Sequence, residues 1–244
     1  MKRYSIMVDV AKKKDFFAIV VFEANPRVVA GSPLLGNPDR TVMKYDIVYI
    51  EKARELRYPQ MIERIVRITN YAQIKNDYDL LIDGTGVGDP IIDYVRDAGL
   101  FPIPIIFTGG IKVSEVYEEM GKVFANTTDR LQAARTLKEI HVPKKDLVSA
   151  GQVLMQQGRI FTAQGINYRS DIEEQLMGFI GKVNEDTKKR KGYEAETEEL
   201  HDDLVVCYLM GAWWVLTGTT LEGFKEKIIP QHGGESPWEP SEYF

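Results

Sequence analysis

The stretch LLIDGTGVGDPIIDYV, Leu80 to Val95, constrains the fold more tightly than any other. A short apolar run ends on Asp83, breaks into Gly84, Gly86 and Gly88, and restarts at Asp89-Pro90. An acid followed by proline is a helix start: the side chain caps the first turn and the fixed φ of proline suits the next position. The spacing therefore predicts a strand over Leu80 to Asp83 and a helix over Ile91 to Ala98. A strand that turns tightly into a helix must lay that helix on a sheet, which makes this an α/β chain.

Upstream, Tyr4 to Val10, Phe16 to Glu23 and Lys44 to Glu51 are rich in β-branched and aromatic residues and predict three strands. The Lys12-to-Asp15 turn and a loop holding Pro33, Gly36, Asn37 and Pro38 separate them as an antiparallel meander. Ile62, Ile65, Val66 and Thr69 recur at helical spacing after Pro59, so a helix is predicted over Tyr58 to Ile74. Downstream, Ile103 to Phe107 predicts a fifth strand. Helices are predicted over Asp129 to Ile140, around Leu147, over Ser170 to Val183 and over Glu199 to Leu216, with a short strand at Arg159 to Thr162. The expected architecture is one mixed sheet of five or more strands, the first three antiparallel, with helices on both faces. Residues 1–216 are expected to form this domain. The polar segment Asn184 to Glu199 predicts an exposed loop or hairpin. Residues 217–244, rich in Gly, Pro and polar residues, predict an extended or partly disordered tail.

A chain of 244 residues can bury a sizeable core. The net charge of −5 advertises no polyanion partner overall, although a local basic groove can lie within an acidic total. The single Cys207 excludes an intramolecular disulfide and a cysteine zinc site. The N-terminal apolar run is too short for a signal peptide, and no apolar stretch approaches the ~20 residues of a membrane helix. A soluble, cytoplasmic protein with no membrane partner is expected.

The glycine loop is not a dinucleotide fingerprint, because its third glycine comes one residue early and Asp83 would repel a pyrophosphate. No P-loop sequence is present. The plainer account is a tight strand-to-helix turn that leaves the Asp83 carboxylate open at the C-terminal end of its strand. Asp9 is a second acid in an apolar strand, within Ile6-Met7-Val8-Asp9-Val10, with Asp15 across the next turn. A buried charge needs a partner or a cation, although a strand-end Asp making turn hydrogen bonds would also fit. The third place is His201-Asp202-Asp203, opening the most apolar helix. Acids in a first turn suit the helix dipole with no further role. Asp202 and Asp203 point about 100° apart, and the apolar pattern leaves open which faces inward. If the sheet brings these acids together, the cluster suits hard divalent cations, Mg²⁺ or Mn²⁺. Two such ions ~3.5–4 Å apart are the apparatus of in-line phosphodiester cleavage.

The segments VDVAKKKDFFAIVVF (Val8 to Phe22), LLIDGTGVGDPIIDYV and HDDLVVCYLMGAWW (His201 to Trp214) together resemble the ribonuclease-H-like nucleases. More narrowly, they are similar to the C-terminal nuclease domain of the phage terminase large subunit, over roughly residues 1–216. The resemblance implies a metal-dependent DNA endonuclease with two Mg²⁺ or Mn²⁺ ions, acting on concatemeric viral double-stranded DNA in the host cytoplasm. It implies Asp9 and Asp83 as strand-borne ligands, Asp203 as the helix-borne ligand and Asp202 as its helper. Where many relatives carry a further acid, this chain has Val206. A terminase ATPase motor, a small terminase subunit and a portal are the implied partners. The chain carries no Walker motif, so an excised domain or a separately encoded fragment that does not package DNA alone is expected.

With DNA as substrate, two basic runs become candidate phosphate contacts: Lys12, Lys13 and Lys14 beside Asp9, and Lys188, Lys189, Arg190 and Lys191 before the acid-bearing helix. Each also fits a solvated turn. His201 could assist the water or the leaving group, or simply lie at the helix cap; Trp213 and Trp214 read as core. Other functions share parts of this pattern: a Holliday-junction resolvase, an actin-like or sugar-kinase-like ATP-binding domain, and a docking module with a degenerate site. Against the ATP-binding reading, the first turn is lysine-rich and lacks the expected glycine.

Overall fold

The computed structural model describes residues 3–10, 16–29, 40–85, 89–110, 112–117, 137–178 and 203–217. Three long strands open the chain: β1 (Tyr4–Asp9), β2 (Phe17–Val29) and β3 (Arg40–Ala53). Helix α1 (Tyr58–Thr69) leads to β4 (Tyr78–Asp83), and α2 (Asp89–Asp97) to β5 (Pro102–Thr108). Strands β6 (Ser114–Tyr117) and β7 (Leu137–Pro143) precede α3 (Lys144–Gln156) and β8 (Ile160–Thr162). A helix over 169–178, here α4, and α5 (Asp203–Thr217) complete the described elements.

The strands form one eight-stranded sheet in the order β6-β7-β5-β4-β1-β2-β3-β8. The pairs β1–β2, β2–β3 and β6–β7 are antiparallel, and the remaining pairs are parallel. Hence β2 and β6 alone run against the other six. The antiparallel start, the mixed sheet and the helices on both faces are those expected from the sequence. Strand alternation divides the core. Ile6, Val8, Ile19 and Val21 pack against Met61 and Ile65 of α1 and Ile91 and Val95 of α2. Met7, Val20, Phe22 and Leu81 face the other way, onto Leu147 and Leu154 of α3, Ile172 of α4 and most of α5.

Helix α5 is apolar on every side because it is enclosed on every side. Eleven of its residues are buried, including Trp213 and Trp214, as read from the sequence. Gly211 lets it lie close to the sheet: a β-carbon there would come within 2.7 Å of both Met7 Cε and Phe22 Cε2. Its far end is tied down as Trp214 Nε1 donates to Asp79 Oδ2 at 3.0 Å.

Five elements differ from expectation. Leu137 to Ile140 belongs to strand β7, not to a helix; Ile140 and Val142 alternate into the core and override the helix propensity of Leu, Lys and Glu. Helix α1 stops at Thr69, where Asn70 donates from its side chain to the Val66 carbonyl at 2.9 Å. Ile74 stays buried through the turn that follows rather than through a longer helix. Strands β2 and β3 reach to Val29 and back from Arg40, so the hairpin is longer than its apolar parts indicate. Strand β6 was not foreseen. The predicted tail 217–244 begins one residue late, since Thr217 ends α5; its remainder, residues 129–136 of the helix predicted over 129–140, and the loop 184–199 lie outside the described residues.

Candidate functional site

Six strands share one direction, so their C-terminal ends lie along one edge of the sheet. Open α/β sheets build their sites at that edge. Strand β1 ends there in Asp9 and β4 in Asp83. The two strands pair in parallel, with Val8 opposite Ile82. One step further along this register brings Asp9 and Asp83 side by side, on strands about 4.8 Å apart. Each lies two residues beyond a core residue of the α5 face, Met7 and Leu81, so both acids are directed to that face.

Helix α5 delivers the third acid. Asp203 stands in its first turn and is buried, at 6% exposure. Asp203 is therefore turned inward. Cys207, one helical turn on, shares its face, and Cys207 Sγ lies 3.8 Å from the carbonyl oxygen of Ala18. Ala18 is the β2 partner of Asp9. Asp203 thus sits over the end of β1 and β2, where the positive end of the helix favours a carboxylate. The Cys207 thiol registers the crowding. Burial pushes its pKa well up, and the charges of Asp9, Asp203 and Asp83 push it further.

The glycine turn fixes Asp83. Its Oδ1 accepts the Thr85 backbone N–H at 2.7 Å, and Thr85 Oγ1 accepts the Phe107 N–H at 2.9 Å. The Gly84 N–H donates to the Ile105 carbonyl at 3.0 Å. A β-carbon at Gly84 would come within 2.7 Å of Ile106 Cδ1, so glycine lets the turn close against β5 without moving that side chain. The carboxylate is held by its own turn. Gly86 and Gly88 lie outside the described residues.

The sequence reading missed Lys52. It pairs with Ala18 across the β2–β3 ladder and so stands in line with Asp9 on the same face. Its Nζ lies 3.9 Å from Asp203 Oδ2, with both side chains nearly enclosed. It also lies 4.0 Å from the centroid of the Phe16 ring, over which the Arg54 guanidinium stands at 3.8 Å. The signal was the alternation Ile50-Glu51-Lys52 in β3, which turns the lysine to the side of Ile50. Reading it required the strand register.

Asp15, Lys12, Lys13, Lys14, Lys188, Lys189, Arg190, Lys191, His201 and Asp202 lie outside the described residues. Among the described residues, no three His, Cys, Asp or Glu side chains form a cage around a single metal position. The donor set is nonetheless all oxygen at this edge, with two carboxylates on adjacent strands. That suits a small hard cation held by one or two carboxylates, with water and phosphate oxygens filling its other positions, which is how Mg²⁺ is commonly bound. The described part of the chain has a wider hollow of about 480 Å³, lined by residues such as Ile47, Phe161, Leu176 and Tyr208. None of the three acids lines it.

No protein-family model matches the chain, and no curated protein matches it. Among solved structures, the chain is similar to the crystal structure of the large terminase nuclease from thermophilic phage G20c. The TM-score is 0.47 and the sequence identity 14%, over 85% of this chain and 80% of that one. No helix among the described residues is long and apolar enough to cross a membrane.

Proposed function

We propose that the chain is a metal-dependent DNA endonuclease that hydrolyses phosphodiester bonds with Asp9, Asp83 and Asp203 as metal ligands and Asp202 as their helper. The observation that carries this reading is the placement of Asp9 and Asp83 at the ends of two paired parallel strands, with the buried Asp203 starting the helix that packs on their face. Two divalent ions, Mg²⁺ or Mn²⁺, would supply an activated water and a counter-charge for the leaving 3′ oxygen. The residues of the chain do the rest. Strands β1 and β4 present Asp9 and Asp83 from a rigid sheet, and the Thr85 N–H keeps Asp83 from rotating. Helix α5, pressed onto the sheet at Gly211, brings Asp203 to the same edge.

The three sequence segments that resemble terminase nucleases extend the proposal. They favour double-stranded DNA as substrate, the cutting of concatemeric viral DNA during genome packaging, and a motor, small subunit and portal as partners. In that setting Lys12 to Lys14 and Lys188 to Lys191 are candidate phosphate contacts, and His201 and Asp15 candidate accessory groups. Val206 is only partly buried and brings no ligand one turn into α5. This makes the ion on the helix side the weaker of the two.

Plasmid cleavage tests the reading. With Mn²⁺ or Mg²⁺ the protein is expected to nick and linearise plasmid. Asp83→Asn keeps the size of the side chain and removes the ligand charge, so cleavage should fall at least 100-fold, the scale of losing one key electrostatic group. Cleavage that survives both the substitution and EDTA would place the activity elsewhere.

A further inference from the structure

The buried Lys52–Asp203 pair is unexpected at a site read as a cation site. A fixed ammonium beside a ligand carboxylate competes with the metal for the same oxygen. Its placement is constructed rather than incidental. The register puts Lys52 on the α5 face, its stem is enclosed, and the Phe16 ring holds its head at 4.0 Å. A buried carboxylate with nothing opposite it is costly, and Lys52 offsets that cost at Asp203.

Resting on the nuclease reading above, we infer that Lys52 is a built-in counter-cation. It holds Asp203 while the helix side of the site is without metal and must be displaced when a divalent ion takes the carboxylate. Its charge therefore weakens metal uptake by the free protein. Once displaced, the ammonium stays tethered by β3 at the same edge, within reach of a substrate phosphate. Metal loading and substrate binding are thereby coupled: the phosphate takes the lysine and the ion takes the aspartate.

Calorimetric titration of Mn²⁺ into the metal-free full chain reads the affinity without any cleavage. Lys52→Met keeps the stem and removes the charge, and its Kd is expected to be roughly tenfold tighter than that of wild type. Lys52→Arg keeps the charge and should stay within about twofold of wild type, a difference well under 1 kcal/mol. If Lys52→Met gives no cooperative melt, Lys52→Gln provides the same comparison. An uncharged variant that binds Mn²⁺ as wild type does, or more weakly, overturns this inference and leaves the metal reading in place. Wild type that takes up no more Mn²⁺ than Asp83→Asn overturns both.

Discussion

At the scale of single residues, Cys207 lies one turn beyond Asp203 and against the Ala18 carbonyl, and its chemistry makes the seating of α5 measurable. The thiolate is the nucleophile toward alkylating agents. Burial first, and then the neighbouring carboxylates, hold the thiol protonated well above its ordinary range. At pH 8 the native protein should therefore resist iodoacetamide for hours, while the unfolded chain should be alkylated within minutes. Rapid labelling of the native protein, read as a mass increase at this one cysteine, would contradict the placement of α5 on the sheet. The residue scale is also where the sequence was most and least informative. Asp83 stood out because it ends an apolar run, and Asp9 because it is an acid within one; that both close their strands became plain in the ladder. That Asp203 is buried needed the helix rotation, which an α5 apolar on every side does not reveal. Lys52 was invisible as a site residue, since a lysine near a strand end reads as a solvated charge until the ladder shows what lies opposite.

At the scale of elements, α1 is fastened to β3 by a buried acid. Glu51 accepts from Tyr49 Oη at 2.5 Å and from Arg67 Nη2 at 3.0–3.1 Å, and it pairs with Arg64. Burial alone would raise the Glu51 pKa, but the Tyr49 hydrogen bond and the two guanidinium groups outweigh it and hold the carboxyl below its ordinary value of 4.5. A depressed carboxyl pKa stabilises the fold above the unfolded value, and the contribution is lost as pH falls below it. Glu51→Gln should cost about 1–3 kcal/mol at pH 7, at the low end because both arginines are partly exposed. The gap between variant and wild type, read from urea midpoints, should shrink as pH drops from 5 towards 3. A gap independent of pH would mean that Glu51 acts through packing and not through its charge. This clamp has a structural bearing on the site. It keeps the C-terminal half of β3 in register, and Lys52 is the next residue. The elements misread from sequence follow the same logic. In β7 a few buried contacts outweighed local helix propensity, and at Asn70 a side-chain cap ended a helix whose apolar period ran on.

At the scale of the whole molecule, most of the sheet was legible, because long strands of Val, Ile and Phe announce themselves and the strand-turn-helix at Leu80 to Val95 fixes the α/β layering. The assembled site was less legible, because its parts are 74 residues apart from Asp9 to Asp83 and 120 from Asp83 to Asp203 in the chain. Only the parallel pairing of β1 with β4 and the close seating of α5 bring them to one edge. That assembly has a thermodynamic consequence. Three carboxylates gathered by folding repel one another in the native state and are dispersed in the unfolded chain. A divalent ion that binds them binds the folded state alone, so it should stabilise the fold by an amount set by its saturation, about 2.7 kcal/mol at a hundred times the Kd. For a domain of this size that is a rise in Tm of several degrees. Mn²⁺ should therefore raise the melting temperature of wild type, with EDTA restoring the original value. Asp83→Asn should begin from an equal or higher Tm without metal, since one repelling charge is gone, and should gain little when Mn²⁺ is added. The crossing of the two proteins, wild type overtaking the variant only in the presence of the ion, separates a metal site from a structural cluster. A structural cluster would leave the variant below wild type with and without the ion.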